Sequence, residues 1–253
     1  QTAAVISGRA EVPGNNFTTI LYNGTSWTNN PAGLNTDRLS TAEAGTQTAG
    51  LIAAGFTPAS SPSTATEEFN GSSWTTVASV GTATYNMASG GTQTTAWKGG
   101  GATNSNATEE YDGSSWTAGG NMLAPQYYNT GTGTQTAAMA VGGRRNNSPP
   151  ANANTEEYDG SSWTAGGNYP AATFGLSASG TQIDALYFGG TDYSTASNSY
   201  NGTSWASQPS IATGRQFSGF PTTGTSTSAF MAGGRATGGA ATAATEEFTG
   251  EIQ

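Results

Sequence analysis

Apolar residues in this chain fall at strand spacing rather than helix spacing, and they return in fixed columns. Four residues after a recurrent Gln, or the equivalent Ser226, stands an apolar position: Val5, Leu51, Trp97, Met139, Leu186 and Phe230. Three residues later stands Gly8, Gly100, Gly142, Gly189 or Gly233, with Ala54 as the exception. A run of about seven residues ending in Gly is strand length, so each column pair predicts one β-strand. No window holds apolar residues three and four apart over three turns, because Gly, Thr, Ser and Asn interrupt each candidate. No run of about eighteen apolar residues exists, so no membrane insertion is expected. No basic-then-apolar leader opens the sequence, so no secretory signal is read there.

A second phrase alternates with the first: aromatic, Asn or Asp, Gly, two hydroxyl residues, Trp. It runs Tyr22 to Trp27, Phe69 to Trp74, Tyr111 to Trp116, Tyr158 to Trp163 and Tyr200 to Trp205, and a sixth copy opens at Phe248-Thr249-Gly250. Asn-Gly and Asp-Gly between apolar segments predict a tight type I′ hairpin. The Trp residues follow one another by 47, 42, 47 and 42 residues, a period of repeated four-stranded units. The Trp column and the aromatics Tyr22, Phe69, Tyr111, Tyr158 and Tyr200 are expected to hold neighbouring sheets together.

Joined, these signals predict an all-β fold, a β-propeller of four-stranded antiparallel blades. In the clearest unit an inner strand is expected around 126–129, a turn at Gly131 to Gly133, a second strand over 135–141, a third over 154–158 and a fourth through Trp163. Six blades are expected, with seven as the alternative, and the two end blades are short of strands. The units run approximately 1–30, 31–78, 79–120, 121–167, 168–209 and 210–253, forming a single domain over 1–253 that is expected to belong to a longer polypeptide. An open sheet edge at the seam is an expected site of self-association.

The column order, with paired Gly after the second strand, Tyr at the end of the third and Trp in the fourth, resembles the kelch repeat. Arg38 and Arg215 match the Arg that often opens the kelch inner strand, and the other units depart from it. Phrases such as Gly-Thr-Gln-Thr-Ala, Ala-Thr-Glu-Glu-Tyr and Asn-Gly-Ser-Ser-Trp-Thr are similar to repeats of tail-fibre and virion structural proteins of marine bacteriophages. That resemblance implies a virion surface or extracellular location, host attachment or adhesion, and other virion proteins as partners.

Strand alternation separates two faces. Turns after the first and third strands are nearly identical in every unit. Loops after the second and fourth vary, as at 9–16, 56–65, 102–107, 144–154, 191–197 and 235–244. Variable loops on a rigid scaffold carry specificity. Candidate binding residues are therefore Phe56, Arg144, Arg145, Asn146, Asn147 and Tyr193.

Composition narrows the chemistry. The 253 residues include no His and no Cys, which removes a Ser-His-Asp triad, a thiolate nucleophile, disulfides and the commonest zinc or copper ligands. The copper chemistry of galactose-oxidase-like kelch enzymes is excluded with them, and no cofactor, metal or catalytic residue is expected. A net charge of −9 with a single Lys argues against nucleic acid and anionic lipid. Adjacent acids, Glu67-Glu68, Glu109-Glu110, Glu156-Glu157 and Glu246-Glu247, precede the third-strand aromatic. Neighbouring strand residues point to opposite sides, so such a pair cannot form one acid/base dyad. One Glu is expected to accept backbone hydrogen bonds between blades while the other is partly solvated. The reading is a non-enzymatic structural or adhesive module presenting variable loops to a host glycan or protein. A carbohydrate-binding propeller lectin is the alternative, and a propeller glycosidase ranks behind both.

Overall fold

Alternating small and aromatic residues, broken by Gly every few positions, form strands that pack through rings rather than through aliphatic bulk. The structure, a computed structural model, describes residues 3–7, 19–102, 105–145, 148–219 and 225–249. β1 (Ala4–Ile6), β2 (Thr19–Tyr22) and β3 (Trp27–Asn30) make a three-stranded antiparallel sheet. The next sheet pairs β4 (Ala42–Thr46), β5 (Ala49–Ala53), β6 (Thr66–Phe69) and β7 (Trp74–Val77) in chain order. The third repeats this with β8 (Ala88–Gly91), β9 (Ala96–Gly99), β10 (Thr108–Tyr111) and β11 (Trp116–Ala118).

In the fourth, β12 (Thr130–Thr134) and β13 (Ala137–Val141) are followed by a small hairpin of β14 (Arg144–Arg145) and β15 (Ser148–Ala151). β16 (Thr155–Tyr158) and β17 (Trp163–Ala165) complete that sheet. β18 (Leu176–Thr181), β19 (Asp184–Gly189), β20 (Ser197–Tyr200) and β21 (Trp205–Gln208) form the fifth. In the last repeat β22 (Arg215–Gln216) pairs with β24 (Arg235–Ala236), and β23 (Ser228–Ala232) pairs with β25 (Thr245–Thr249). Among the described residues no helix is long and apolar enough to cross a membrane.

The fold is therefore an all-β propeller with four-stranded antiparallel blades, and about five blades are present rather than the six or seven expected. Four blades are complete and the first has three strands. The sixth repeat contributes two two-stranded sheets, β22–β24 and β23–β25, plus the single bridges Gly219↔Ala232, Thr225↔Ser228 and Arg235↔Ala241.

Two local expectations are corrected. The fourth repeat's inner strand is Thr130–Thr134 rather than 126–129. Its turn falls at Gln135 and Thr136, because Gly133 stays in the strand at φ 90, where an added Cβ would lie 2.2 Å from the Ala137 carbonyl oxygen. The Asn-Gly phrase is a four-residue connection, not a type I′ turn. Asn23 lies outside the positive-φ region and only Gly24 is within it, while Asn23 Oδ1 accepts from the Thr25 and Ser26 amides at 3.0 and 2.9 Å. The short polar side chain caps the loop in place of a backbone turn. Asp112 and Asp159 do the same, and these bonds pull both carboxyls down to about 2.

Three hydrogen-bond devices join successive sheets. Each outer-strand Trp donates Nε1 to a third-strand hydroxyl of the preceding sheet: Trp74 to Thr19, Trp116 to Thr66, Trp163 to Thr108 and Trp205 to Thr155, at 2.8–3.2 Å. Trp27 makes the same bond to Thr245, at 3.1 Å. Each turn Gln donates Nε2 to two carbonyls of the preceding sheet, as Gln182 does to Ala138 and Tyr158, both at 2.8 Å. Gln47, Gln93 and Gln135 repeat this geometry. Tyr hydroxyls bond to the second Glu of the preceding pair. Trp74 and Trp163 are buried and Trp27, Trp116 and Trp205 half-buried; Tyr22, Phe69, Tyr111, Tyr158 and Tyr200 are all buried.

Candidate functional site

Just before the inner strands β4, β8, β12 and β18 the chain passes through one left-handed residue, Ser40, Asn86, Tyr128 and Gly175, and Phe217 is its counterpart in the sixth repeat, with φ between 54 and 67 in all five. Their amides link successive repeats: Asn86 N donates to Ser40 O at 3.0 Å, Tyr128 to Asn86 at 2.7 Å, Gly175 to Tyr128 at 3.2 Å and Phe217 to Gly175 at 2.9 Å. These backbones form an arc where the inner strands begin, on the face that carries the variable loops. Asn and Gly adopt this conformation readily, whereas an aromatic residue there is strained. Strain of about 1–3 kcal/mol held by surrounding structure clusters at binding sites.

Tyr128 and Phe217, both left-handed, stand 5.1 Å apart between ring centres. Tyr127 and Phe174 lie 5.0 and 5.8 Å from Tyr128, and Phe174 is 5.9 Å from Phe217. The Arg144 guanidinium sits 4.0 Å above the Phe174 ring, a cation–π geometry. Its backbone is fixed by two bonds with Tyr127, at 2.9 and 2.8 Å. Arg144 Nε is buried and meets no hydrogen-bond acceptor among the described residues. Tyr127, Tyr128 and Phe174 are half-buried, while Phe217 is 39% exposed. Burial, then Tyr127 and Tyr85, push the Tyr128 hydroxyl up, against the pull of Arg144.

Of the residues chosen from sequence, Arg144 joins this cluster. Phe56 packs on Tyr85 at 4.6 Å and bridges Leu39. Arg145 is exposed on the β14–β15 hairpin. Tyr193, left-handed at φ 55, places its carbonyl against Gly214 and its hydroxyl near Gly239. Asn146 and Asn147 lie outside the described residues. Sequence reasoning passed over Tyr85, Tyr127, Tyr128, Phe174 and Phe217. One signal could have found them: Ser40, Asn86, Tyr128 and Gly175 each stand seven residues before a turn Gln.

The paired acids serve the scaffold. Glu67 accepts from the Asn35 and Thr36 amides and pairs with buried Arg38 at 2.8 Å. Glu109 accepts from the Gly81 and Thr82 amides and from Lys98 Nζ at 2.8 Å. Glu156 takes the Leu123 amide and Gln126 Nε2, and Glu246 takes the Ala212 and Thr213 amides and Arg215. These bonds lie within one blade, not between blades as expected. The bond between sheets is made by the second Glu, which accepts the next sheet's Tyr hydroxyl: Tyr111 to Glu68, Tyr158 to Glu110 and Tyr200 to Glu157.

No protein-family model and no curated protein matches the sequence. Among solved structures the chain is similar to YjhT, with a TM-score of 0.76 at 12% identity, covering 92% of this chain and 89% of that one. At that identity the likeness carries the propeller fold alone.

Proposed function

We propose that this chain is a non-enzymatic adhesive module whose variable face holds a surface saccharide in the aromatic cluster around Tyr128 and Phe217. The observation that carries this reading is the pair of strained, solvent-reaching rings beside the Arg144 guanidinium. A sugar ring offers what complements them, an apolar C–H face for stacking on the rings and hydroxyl oxygens for the Arg144 guanidinium. The engagement of Glu67, Glu109, Glu156 and Glu246 with backbone amides and cations favours binding over acid/base chemistry.

The finer architecture belongs to the same proposal. The sixth repeat's β23–β25 sheet occupies a sixth position in a kelch-like ring, between the fifth sheet and the first. The likeness of the repeat wording to phage tail-fibre proteins supports a virion surface setting, with a host glycan or protein as receptor and other virion proteins as partners.

A glycan array tests the reading, with the domain beside its Tyr128→Asn/Phe217→Asn variant. Asn86 holds the equivalent backbone position, so the variant is expected to fold and to lose binding at least tenfold. Absence of any glycan signal from the unmodified domain, or equal binding by the variant, overturns the proposal.

A further inference from the structure

Asn followed by Gly loses its side-chain amide readily, because the next backbone nitrogen can reach Cγ and no Cβ stands in the way. The dipeptide occurs three times in this chain, at Asn23-Gly24, Asn70-Gly71 and Asn201-Gly202, always in the connection between a third and an outer strand. All three Asn are exposed, so a departing side-chain nitrogen leaves directly into water. Each Oδ1 accepts from two backbone amides: Thr25 and Ser26 at 3.0 and 2.9 Å, Ser72 and Ser73 both at 2.9 Å, and Thr203 and Ser204 at 3.0 and 2.9 Å. The Thr25 and Ser72 hydroxyls add a further bond to Asn23 and Asn70, at 2.9 and 2.8 Å. Among the described residues no acceptor engages the Gly24, Gly71 or Gly202 amide, so the attacking nitrogen is free. Two other repeats carry Asp112 and Asp159 at this position, held by the same two amides at 2.7–2.8 Å.

We propose that Asn23, Asn70 and Asn201 are sites of spontaneous deamidation, and that the hairpin directs the product to aspartate in the normal peptide linkage. The Gly nitrogen bonds to Cγ and gives up its proton, the side-chain nitrogen leaves as ammonia, and a five-membered imide closes. Water then opens the ring. Breaking the N–Cγ bond restores the original peptide with Asp as its side chain, whereas breaking the bond to the backbone carbonyl carbon leaves isoaspartate. Donors aimed at Oδ1 stabilise the negative charge that builds on that oxygen when Cγ is attacked, in ring closure and again in ring opening. They therefore favour the normal linkage. The product meets a loop that already holds it in two repeats, and an ionised acceptor strengthens the same bonds. Complete conversion takes the net charge from −9 to −12 and places the three new carboxylates on the face opposite the variable loops.

The test incubates the protein beside a capped peptide of residues 69–74, Phe-Asn-Gly-Ser-Ser-Trp, in heavy-oxygen water at pH 8, with both then mapped by mass spectrometry. We expect heavy oxygen to enter at all three sites, with a ratio of Asp to isoaspartate at Asn70 at least about threefold above that of the peptide. Thr25→Val removes the hydroxyl and keeps the amide, and should slow conversion at Asn23 about threefold while leaving Asn70 unchanged. Retention of all three amides while the peptide converts, a product ratio at Asn70 equal to the peptide's, or a rate at Asn23 that Thr25→Val leaves unaltered would each overturn the proposal.

Discussion

The Tyr22 hydroxyl donates to Glu247 Oε1 over 2.9 Å although 225 residues separate them. It is the bond that Tyr111 makes to Glu68, Tyr158 to Glu110 and Tyr200 to Glu157 between consecutive repeats. Where the preceding repeat lacks that Glu, the hydroxyl is also missing: Phe69 follows Leu21, and Phe248 follows Ser199. Phe69 and Leu21 instead share an apolar cluster with Ile52 and Trp74.

The pairing rule gives a swap experiment. Tyr111→Phe should cost about 1–2 kcal/mol, because it leaves the Glu68 carboxylate without its donor. Adding Glu68→Leu, which recreates the Phe69–Leu21 pair, should restore most of that loss. Urea unfolding of the two singles and the double reads the coupling, and additive effects would show that the contact carries no specific energy.

Much of this scaffold was legible because its devices sit in fixed columns. Trp at the outer strand and Tyr or Phe at the third are spaced by the repeat itself, so strand identity and the two faces follow from counting. That one Glu of each pair accepts backbone amides follows from the sequence, but not that it is the first, nor that its bonds stay within one repeat. Its cation does not follow either, since Arg38 comes from before the inner strand but Lys98 from the second strand. The inner strand was misplaced to 126–129 because Tyr127 and Tyr128 look like strand residues, and a left-handed backbone leaves no mark on side-chain pattern. For the same reason the aromatic cluster escaped: its members come from three repeats and meet only through the arc of backbone bonds. Blade number was overestimated because six copies of a motif do not require six complete sheets.

Turn glutamines should behave as clamps. Gln182→Ala removes two amide bonds of 2.8 Å to the Ala138 and Tyr158 carbonyls. A loss of about 1–2 kcal/mol is expected, with faster amide exchange at that interface. An unchanged Tm would mean that water replaces the amide without cost.

Glu43 on the inner strand β4 should make stability fall as pH rises. Although it keeps partial contact with solvent, dense packing pushes its carboxyl from 4.5 up to about 7, partly countered by the Thr41 hydroxyl. A folded-state value above the unfolded one means that stability is whole below pH 4.5 and declines up to about pH 7. Glu43→Gln should therefore stabilise the protein by about 1–2 kcal/mol at pH 8, a figure reduced for solvent screening, and be near neutral at pH 4. Thermal melts across that range would refute the assignment if the difference between the two proteins did not change with pH.

Glu156 differs from its counterparts in having an uncharged side-chain partner, Gln126 Nε2 at 2.7 Å, where Glu67 has Arg38 and Glu246 has Arg215. Burial raises its carboxyl, while the Leu123 amide, Arg145 and Gln126 pull it back. The raised value makes the ionised form a cost to the folded state that grows as pH climbs. Gln126 occupies the chain position of Arg38 and Arg215, two residues before the left-handed residue of its repeat. Gln126→Arg should thus supply the missing cation, lower the Glu156 carboxyl and raise stability by about 1 kcal/mol at pH 8. The gain should shrink toward pH 4, as Glu156 takes up its proton and the added cation loses its partner. Melting curves at the two pH values decide it: a Tm lower than the parent's at both would show that the guanidinium is too large for the space beside Asn152, whose Nδ2 donates to Gln126 Oε1 at 3.3 Å.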